Sequence, residues 1–142
     1  MAKFDLIGLG NALVDSEFHV TDSFLKKKGF EKGTMHLVDS DEQTNLLNSL
    51  EKEYGKPSLA CGGSATNTIF AASILGSSCS YICKVGNDKN GNFYLDDLSD
   101  AGVNIDHSVM LDSNINSGTC TVMVSPDAER TMSTCLGISS DL

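Results

Sequence analysis

Motifs that mark several common protein classes are missing from this chain of 142 residues. Its cysteines form no C-x-x-C pair, and their odd number leaves one over in any disulfide scheme, which argues against a zinc site and a disulfide framework. We expect free thiols at all of these positions: Cys61, Cys79, Cys83, Cys120 and Cys135. Cys79 and Cys83 lie four apart in a predicted strand and should therefore be buried on one side of it.

Nucleotide-binding motifs are also lacking. No G-x-x-x-x-G-K-S/T run occurs, which argues against a P-loop kinase. Gly8 and Gly10 match the first two glycines of a dinucleotide-binding turn, but Leu13 stands where the third is expected, and the segment after it is typical of a strand. A dinucleotide-binding domain is therefore not predicted.

Positive charge and long apolar segments are scarce. Lys and Arg total 10 against 19 Asp and Glu, a formal net charge of -9, which argues against non-specific binding to nucleic acid. The only basic run, residues 26–28, is predicted to be the solvated face of a short helix. Asp5 and two glycines interrupt the first ten residues, where a signal peptide or membrane span needs an apolar core. We expect a cytoplasmic protein with no nucleic acid or membrane partner.

The composition is that of a globular domain. Hydrophobic residues make up 40% of the chain and charged residues 20%, without any low-complexity run. A chain of this length can bury about two thirds of its unfolded surface. No linker, internal repeat or domain boundary is visible, so one domain is predicted.

Strands and helices alternate along most of the chain. Residues 4–9 are predicted to form a buried strand, and residues 33–38 and 81–85 further strands. The predicted helices are Asp22–Lys28 capped by Asp22, a helix from a Ser40–Gln43 capping box to Gly55, residues 64–75 with Ile69, Phe70 and Ile74 on one face, and a helix from Asp88 to Gly102. Residues 119–125 and 131–135 flank Pro126-Asp127 and are predicted to pair as a β-hairpin.

A glycine pair stands immediately before one of these helices. Residues 61–67 read C-G-G-S-A-T-N, and glycines without side chains let a ligand approach the backbone amides. The helix N-terminus that follows adds unpaired N–H groups and a favourable dipole. The segment predicts a ligand-binding turn, and an ordinary tight turn is the alternative.

Five motifs in order along the chain carry a family resemblance: FDLIGLGNALVD at the N-terminus, CGGSATN, KVGNDKNG, DAGVN, and SGTCTVMVSPDAERTM. Together they resemble the ribokinase-like (PfkB) carbohydrate kinases, and most closely their bacterial adenosine kinase-like branch. The resemblance implies a three-layer α/β/α core with a small β-sheet lid over the substrate. We assign residues 14–20, 33–37 and 119–135 to that lid.

The resemblance also implies which residues bind the substrate. Asp15 can accept two hydrogen bonds from adjacent sugar hydroxyls, and an exposed strand carboxylate is the alternative. The other implied contacts are Asn11, the amides of Gly62 and Gly63, Asn67 toward the reacting hydroxyl, Met35 and Cys120 as lid-strand contacts, and Arg130 toward the transferring phosphoryl group. Packing for Met35 and Cys120, and a solvated hairpin position for Arg130, are the alternatives.

Family members carry a Gly-Ala-Gly-Asp segment whose Asp is the catalytic base, and these 142 residues do not contain it. We therefore predict that this chain supplies the acceptor side and lid, with no catalytic residue or metal ligand of its own, and is inactive alone. ATP and Mg²⁺ would be held mainly by the C-terminal half of the fold. The expected activity is ATP-dependent phosphorylation of a sugar or nucleoside, with a homodimer through the lid edge. The alternative is a non-catalytic sugar-binding, nucleoside-binding or dimerisation module.

Overall fold

The computed structural model describes residues 3–106, 108–111 and 114–142. Within these ranges the strands are β1 (Leu6–Leu9), β2 (Leu13–His19), β3 (Met35–Leu37), β4 (Ser58–Gly62), β5 (Cys79–Ile82), β6 (Lys84–Gly86), β7 (Val109–Leu111), β8 (Gly118–Val124) and β9 (Arg130–Cys135). The helices are α1 (Asp22–Lys28), α2 (Ser40–Tyr54), α3 (Ser64–Ile74) and α4 (Lys89–Asp100), and a 3₁₀ helix covers Gly137–Asp141.

The chain divides into two compact units built from discontinuous segments. The first unit contains the described residues up to Val14, then Ala60–Gly118 and Leu136–Leu142. The second unit contains Asp15–Leu59 and Thr119–Cys135. Because each unit joins segments that are distant in sequence, neither could be recognised as a continuous domain along the chain.

The first unit is built from parallel strand pairs and helices. Strand β1 pairs with β5, and β6 pairs with β7, both in parallel. Helix α3 packs against β1 and β5, and α4 against β6. The buried core of this unit consists of Ala12, Val14, Ile69, Cys79, Tyr81, Cys83, Val85, Tyr94, Leu98 and Val103. The predicted alternation of strands and helices is confirmed. Cys79 and Cys83 are buried as predicted, but Cys83 lies between β5 and β6 and does not share a strand with Cys79.

The prediction of a buried first strand is wrong for most of its side chains. Ile7 and Leu9 of β1 are 63% and 64% exposed. Among the described residues β1 has only β5 as a neighbour, so it lacks the two-sided enclosure of a central parallel strand. Of the residues predicted on one face of α3, Ile69 is buried, whereas Ile74 lies at the end of the helix and is 64% exposed.

The second unit is centred on a five-stranded sheet in the order β3-β9-β8-β2-β4. The predicted hairpin is confirmed, since β8 and β9 pair antiparallel with Thr119 opposite Cys135. Strand β3 pairs with β9 in parallel, with Met35 opposite Met132. Strand β4 was not predicted from the sequence. The segments assigned to a lid contain β2, β3, β8 and β9, and their function as a lid stays a prediction.

Two helix caps lie one residue before their predicted positions. Thr21, not Asp22, caps α1, and its hydroxyl accepts a hydrogen bond from the N–H of Phe24 at 3.2 Å. Asp39 and Glu42 form the capping box of α2, where Ser40 and Gln43 were expected. The cap of α4 by Asp88 is as predicted.

Gln43 does not take part in the capping box, because its side chain is buried in the second unit. Its side-chain amide donates to the hydroxyl of Thr121 at 3.0 Å and to the carbonyl of Ser133 at 3.2 Å. The hydroxyl of Ser133 donates back to Oε1 of Gln43 at 3.0 Å. These bonds tie α2 to the face of β8 and β9 that carries the apolar core of this unit: Phe18, Val20, Phe24, Leu25, Leu46, Leu50 and Met123.

Candidate functional site

A cavity of about 330 Å³ opens in the first unit beside the predicted glycine turn. It is lined by Gly10, Asn11, Leu13, Gly63, Ser64, Ala65 and Tyr81. Gly10 and Asn11 directly follow the carboxyl end of strand β1, and Gly63 is the N-cap residue of α3. Two of the predicted contact residues, Asn11 and Gly63, therefore line one cavity.

The backbone at Gly63 has a conformation that favours glycine, with φ 101° and ψ 134°. A Cβ at this position would lie 2.9 Å from the carbonyl oxygen of Asn11 and 3.2 Å from the hydroxyl of Thr66. Both the torsion and the crowding exclude a side chain here. No side chain caps α3, so the backbone groups of its N-terminus face the cavity, together with the first helical residue, Ser64.

The other two residues predicted on this segment lie elsewhere around the turn. Gly62 is buried, and its carbonyl oxygen accepts a hydrogen bond from the hydroxyl of Tyr94 at 3.2 Å. Asn67 lies one helical turn along α3 with an exposed side chain, and its N–H donates to the carbonyl of Gly63 at 2.9 Å. Neither residue lines the cavity, and their substrate contacts stay predictions.

Three buried hydroxyl groups lie below the turn, and sequence analysis gave them no role. The hydroxyl of Thr66 donates to that of Tyr81 at 2.9 Å, and the oxygens of Thr66 and Tyr94 are 2.5 Å apart. We call Thr66, Tyr81 and Tyr94 the hydroxyl cluster. Their side chains come from α3, β5 and α4, so no local pattern in the sequence indicates that they meet.

In the second unit, the residues predicted to contact the substrate or the transferring phosphoryl group lie on one face of the five-stranded sheet, the face that points away from α2. Met123, Thr121 and Ser133 point toward α2, and side chains alternate along each strand. Strand register and the alternation of side chains define the opposite side, here called the second face. It carries Asp15 and Glu17 of β2, Cys120 of β8, Arg130 and Met132 of β9, and Met35 of β3. Within this unit the fold thus brings Asp15, Met35, Cys120 and Arg130 onto one surface.

Asp15 has the most perturbed carboxyl group of this surface. Burial raises the pKa of Asp15 from 3.8 to about 6, the nearby Arg130 guanidinium opposes that rise, and Glu17 adds to it. A carboxylate with few solvent contacts and a raised pKa is a common feature of ligand sites, because a bound hydroxyl can replace the lost water. The physical setting therefore suits Asp15 as a hydrogen-bond acceptor.

Cys120 and Met35 provide the less polar part of the second face. Burial raises the pKa of the Cys120 thiol, and the hydroxyl of Thr134 donates to its sulfur at 3.3 Å. The thiol is therefore neutral and packs like a small apolar side chain. Met35 is 53% exposed on the short edge strand β3. A flexible thioether at this position can pack against an apolar ring.

Arg130 lies at the start of β9, opposite Val124 across the hairpin. Its guanidinium is 4.0 Å from the carboxylate of Glu17, and the Arg130 side chain is 67% exposed. An ion pair this exposed contributes little to stability, so the guanidinium is free to change partners. Glu17 was not predicted as a neighbour, although its spacing of two residues from Asp15 on a strand indicates a common face.

Metal-binding clusters and membrane-spanning helices are both absent from the part of the chain that the structure describes. No three His, Cys, Asp or Glu side chains are grouped there in a way that could hold a metal ion. We derive no step through Mg²⁺. No helix among the same residues has the length and apolar character to cross a membrane.

Comparisons with known proteins agree with this architecture. A family model described as pfkB family carbohydrate kinase matches residues 34–142. The adenosine kinase of Sinorhizobium meliloti superposes with a TM-score of 0.87 at 36% identity, over 99% of this chain and 42% of that one. The adenosine kinase of Schistosoma mansoni in complex with 2-fluoroadenosine superposes with a TM-score of 0.85 at 25% identity, over 100% of this chain and 41% of that one.

A curated relative gives the same result at the level of sequence. Adenosine kinase 2 of Arabidopsis thaliana is 30% identical over 122 residues, which are 84% of this chain and 34% of that protein. The chain thus spans well under half the length of these relatives, and it matches the N-terminal portion of their fold. The predicted ribokinase-like α/β fold is confirmed. Because the family model matches most of its length, this chain belongs to the pfkB family of carbohydrate kinases.

Proposed function

We propose that this chain forms the acceptor-binding side of a kinase. The kinase transfers a phosphoryl group from ATP to a hydroxymethyl group of a nucleoside, and adenosine is the favoured substrate. The observation that carries this proposal is the 330 Å³ cavity, which Asn11 and Gly63 line together. Adenosine kinases are among the structures that match the whole chain, and one of them is in complex with 2-fluoroadenosine.

The cavity offers groups that suit a sugar hydroxyl. The side-chain amide of Asn11 has two donors and one acceptor, and the backbone beside Gly63 can be approached without a side chain in the way. An unmet polar partner in such a site costs roughly 1 to 3 kcal/mol, which is enough to select one hydroxyl pattern over another. Gly62, Asn67 and the second-face residues Asp15, Met35 and Cys120 are proposed as further acceptor contacts.

The chemical step is a displacement at phosphorus. The acceptor oxygen forms a bond to the γ-phosphorus of ATP, the bond from that phosphorus to the ADP oxygen breaks, and the hydroxyl proton passes to a base outside these 142 residues. Such a transfer depends mostly on positioning and on stabilising charge. Arg130 is proposed to meet the transferring group with its exposed guanidinium.

Homodimerisation through the sheet edge remains part of the proposal. Strand β3 ends the five-stranded sheet and has only three residues, with Leu37 64% exposed. An open edge with apolar side chains can pair with a second chain. Light scattering decides this point, since a strictly monomeric mass removes dimerisation from the proposal.

Nucleoside binding and phosphoryl transfer should be measured in the complete polypeptide in which these residues occur. We expect ATP-dependent phosphorylation of adenosine, and an affinity that Asp15→Ala lowers about 10- to 100-fold because a charge-assisted bond is lost. Asp41→Ala, an exposed carboxylate in the first turn of α2, is the matched control. Nucleoside binding without turnover would identify a binding module, and unchanged affinity in Asp15→Ala would falsify the assignment of Asp15.

A further inference from the structure

Two consecutive glycines give the turn at the cavity unusual backbone freedom. Gly62 and Gly63 lack side chains, and no side chain caps the helix that begins at Ser64. Gly62 ends strand β4, and Gly63 follows it outside the strand, where glycine populates both halves of the φ range with similar ease. Whatever orients the turn must act from the surrounding structure.

The hydroxyl cluster lies close enough to the turn to orient it. Thr66, Tyr81 and Tyr94 are all fully buried, and Tyr94 donates to the carbonyl of Gly62. The hydroxyl of Thr66 also lies 3.2 Å from the point where a Cβ at Gly63 would stand. Gly62 is therefore hydrogen-bonded to the cluster, and Gly63 lies beside it.

The cluster keeps its protons at all pH values of interest. Burial raises the pKa of both tyrosine hydroxyls, Tyr81 and Tyr94, above the usual value of 10. The two hydroxyl groups act as neutral hydrogen-bond donors. Their hydrogen bonds are stronger in the low-dielectric interior of the protein than they would be in water. The cluster therefore acts as a set of neutral hydrogen-bonding groups.

The cluster also connects the turn to a motif with no other assigned function. Tyr94 is part of α4, whose first turn is held by Asp88 of the K-V-G-N-D-K-N-G segment. The carboxylate of Asp88 accepts from the N–H of Gly91 at 2.7 Å. The position of Tyr94 below the turn thus depends on the cap three residues before Gly91.

We propose that the hydroxyl cluster of Thr66, Tyr81 and Tyr94 is a positioning device that fixes the Gly62-Gly63 backbone and so sets the direction of the amides that meet the acceptor. This inference rests on the proposed acceptor function of the cavity. Thr66 and Tyr94 act through the turn and do not line the cavity, whereas Tyr81 also lines it. Removing their hydroxyls should loosen the turn and weaken acceptor binding, while the rate of the bound complex changes little.

The test compares two variants that each lose one hydroxyl group of the cluster with a variant that keeps it and with a control outside the cluster. Tyr94→Phe deletes the donor to Gly62, and Thr66→Val deletes the central hydroxyl with little change of shape. Thr66→Ser keeps the hydroxyl and loses only a methyl group. Tyr54→Phe is the matched control, because its hydroxyl bonds to Thr21 in the second unit.

Two measurements are made on each variant of the complete polypeptide. The first, without ligand, follows the ¹H–¹⁵N shifts of Gly62 and Gly63 and hydrogen exchange of the Asn67 amide, which donates to Gly63. The second follows KM for adenosine and kcat. We expect Tyr94→Phe and Thr66→Val to shift the glycine signals, to speed exchange about tenfold and to raise KM about tenfold, with kcat within about twofold of wild type. Thr66→Ser and Tyr54→Phe should match wild type.

The outcomes separate this inference from the proposed function. If wild type phosphorylates no nucleoside, the proposed function fails, and the glycine shifts and amide exchange still decide whether the cluster holds the turn. Unchanged shifts and exchange in Tyr94→Phe and Thr66→Val overturn the positioning role. So does a Thr66→Ser variant that behaves like Thr66→Val. If Tyr94→Phe does not fold, the Thr66 pair gives the answer alone.

Discussion

The carboxylate of Asp88 accepts hydrogen bonds from both the backbone N–H and the hydroxyl of Ser117, at 2.7 and 2.9 Å. A third bond comes from the N–H of Gly91, at 2.7 Å. One side chain therefore joins the start of α4 to the residue just before β8. A Cβ at Gly91 would lie 2.1 Å from the carbonyl oxygen of Gly86, so α4 packs directly on the end of β6.

Asp88→Ala should lower the free energy of unfolding by about 3 kcal/mol, since a helix cap and two further bonds are lost. Asp88→Asn keeps one acceptor oxygen and should lie between Asp88→Ala and wild type. Urea denaturation at pH 7 measures both. Equal losses in the two variants would show that charge, and not acceptance of hydrogen bonds, is what matters at this position.

Asp15→Asn should stabilise the fold at neutral pH. The folded pKa of Asp15 is raised to about 6, so the folded chain favours the protonated form. This contribution is complete below about pH 4, and it is lost as the pH rises through about 6. One pKa unit corresponds to about 1.4 kcal/mol, so we expect a gain of about 1 to 2 kcal/mol at pH 7 after allowing for partial exposure.

The gain in Asp15→Asn should vanish at pH 4, where the wild-type carboxyl is protonated as well. Urea denaturation of both proteins at pH 4 and pH 7 checks this. A gain that is the same at both pH values would mean that shape, not charge, is responsible. If Asp15 also binds the acceptor, nucleoside affinity in wild type should fall as the pH drops below about 6.

Neighbouring charges should move the pKa of Asp15 in opposite directions. Arg130→Gln removes a positive charge that holds the pKa down, so the pKa should rise above about 6. Glu17→Gln removes a negative charge and should lower it. A ¹³C NMR titration of the Asp15 carboxyl carbon follows both. Shifts of the same sign in the two variants would contradict this account of the surface.

Gln43→Leu should destabilise the second unit strongly. The substitution leaves the buried hydroxyls of Thr121 and Ser133 without their glutamine partner, at a cost of about 1 to 3 kcal/mol for each group. We expect a total loss of about 3 kcal/mol by urea denaturation. Asn48→Leu, on the exposed side of the same helix, is the control and should change stability by less than about 0.5 kcal/mol.

The sequence offers two possible capping boxes at the start of α2 and does not indicate which of them forms. Asp39-x-x-Glu42 and Ser40-x-x-Gln43 both have the spacing of a capping box, shifted by one residue. The structure uses the first, because Gln43 is drawn into hydrogen bonds with β8 and β9. Those strands lie more than 75 residues further along the chain, so no local pattern could decide between the two.

Local chemistry in the sequence was sufficient for the hairpin of β8 and β9, the helix that Asp88 caps, the family and the α/β class. These features depend on neighbouring residues or on motifs that survive as short strings. The tertiary structure alone decided the exposure of β1, the place of β4 in the sheet, the burial of Asp15 and the meeting of Thr66, Tyr81 and Tyr94. Each of these results from contacts between residues that are distant in sequence, and their energy depends on burial that is set only when the chain has folded.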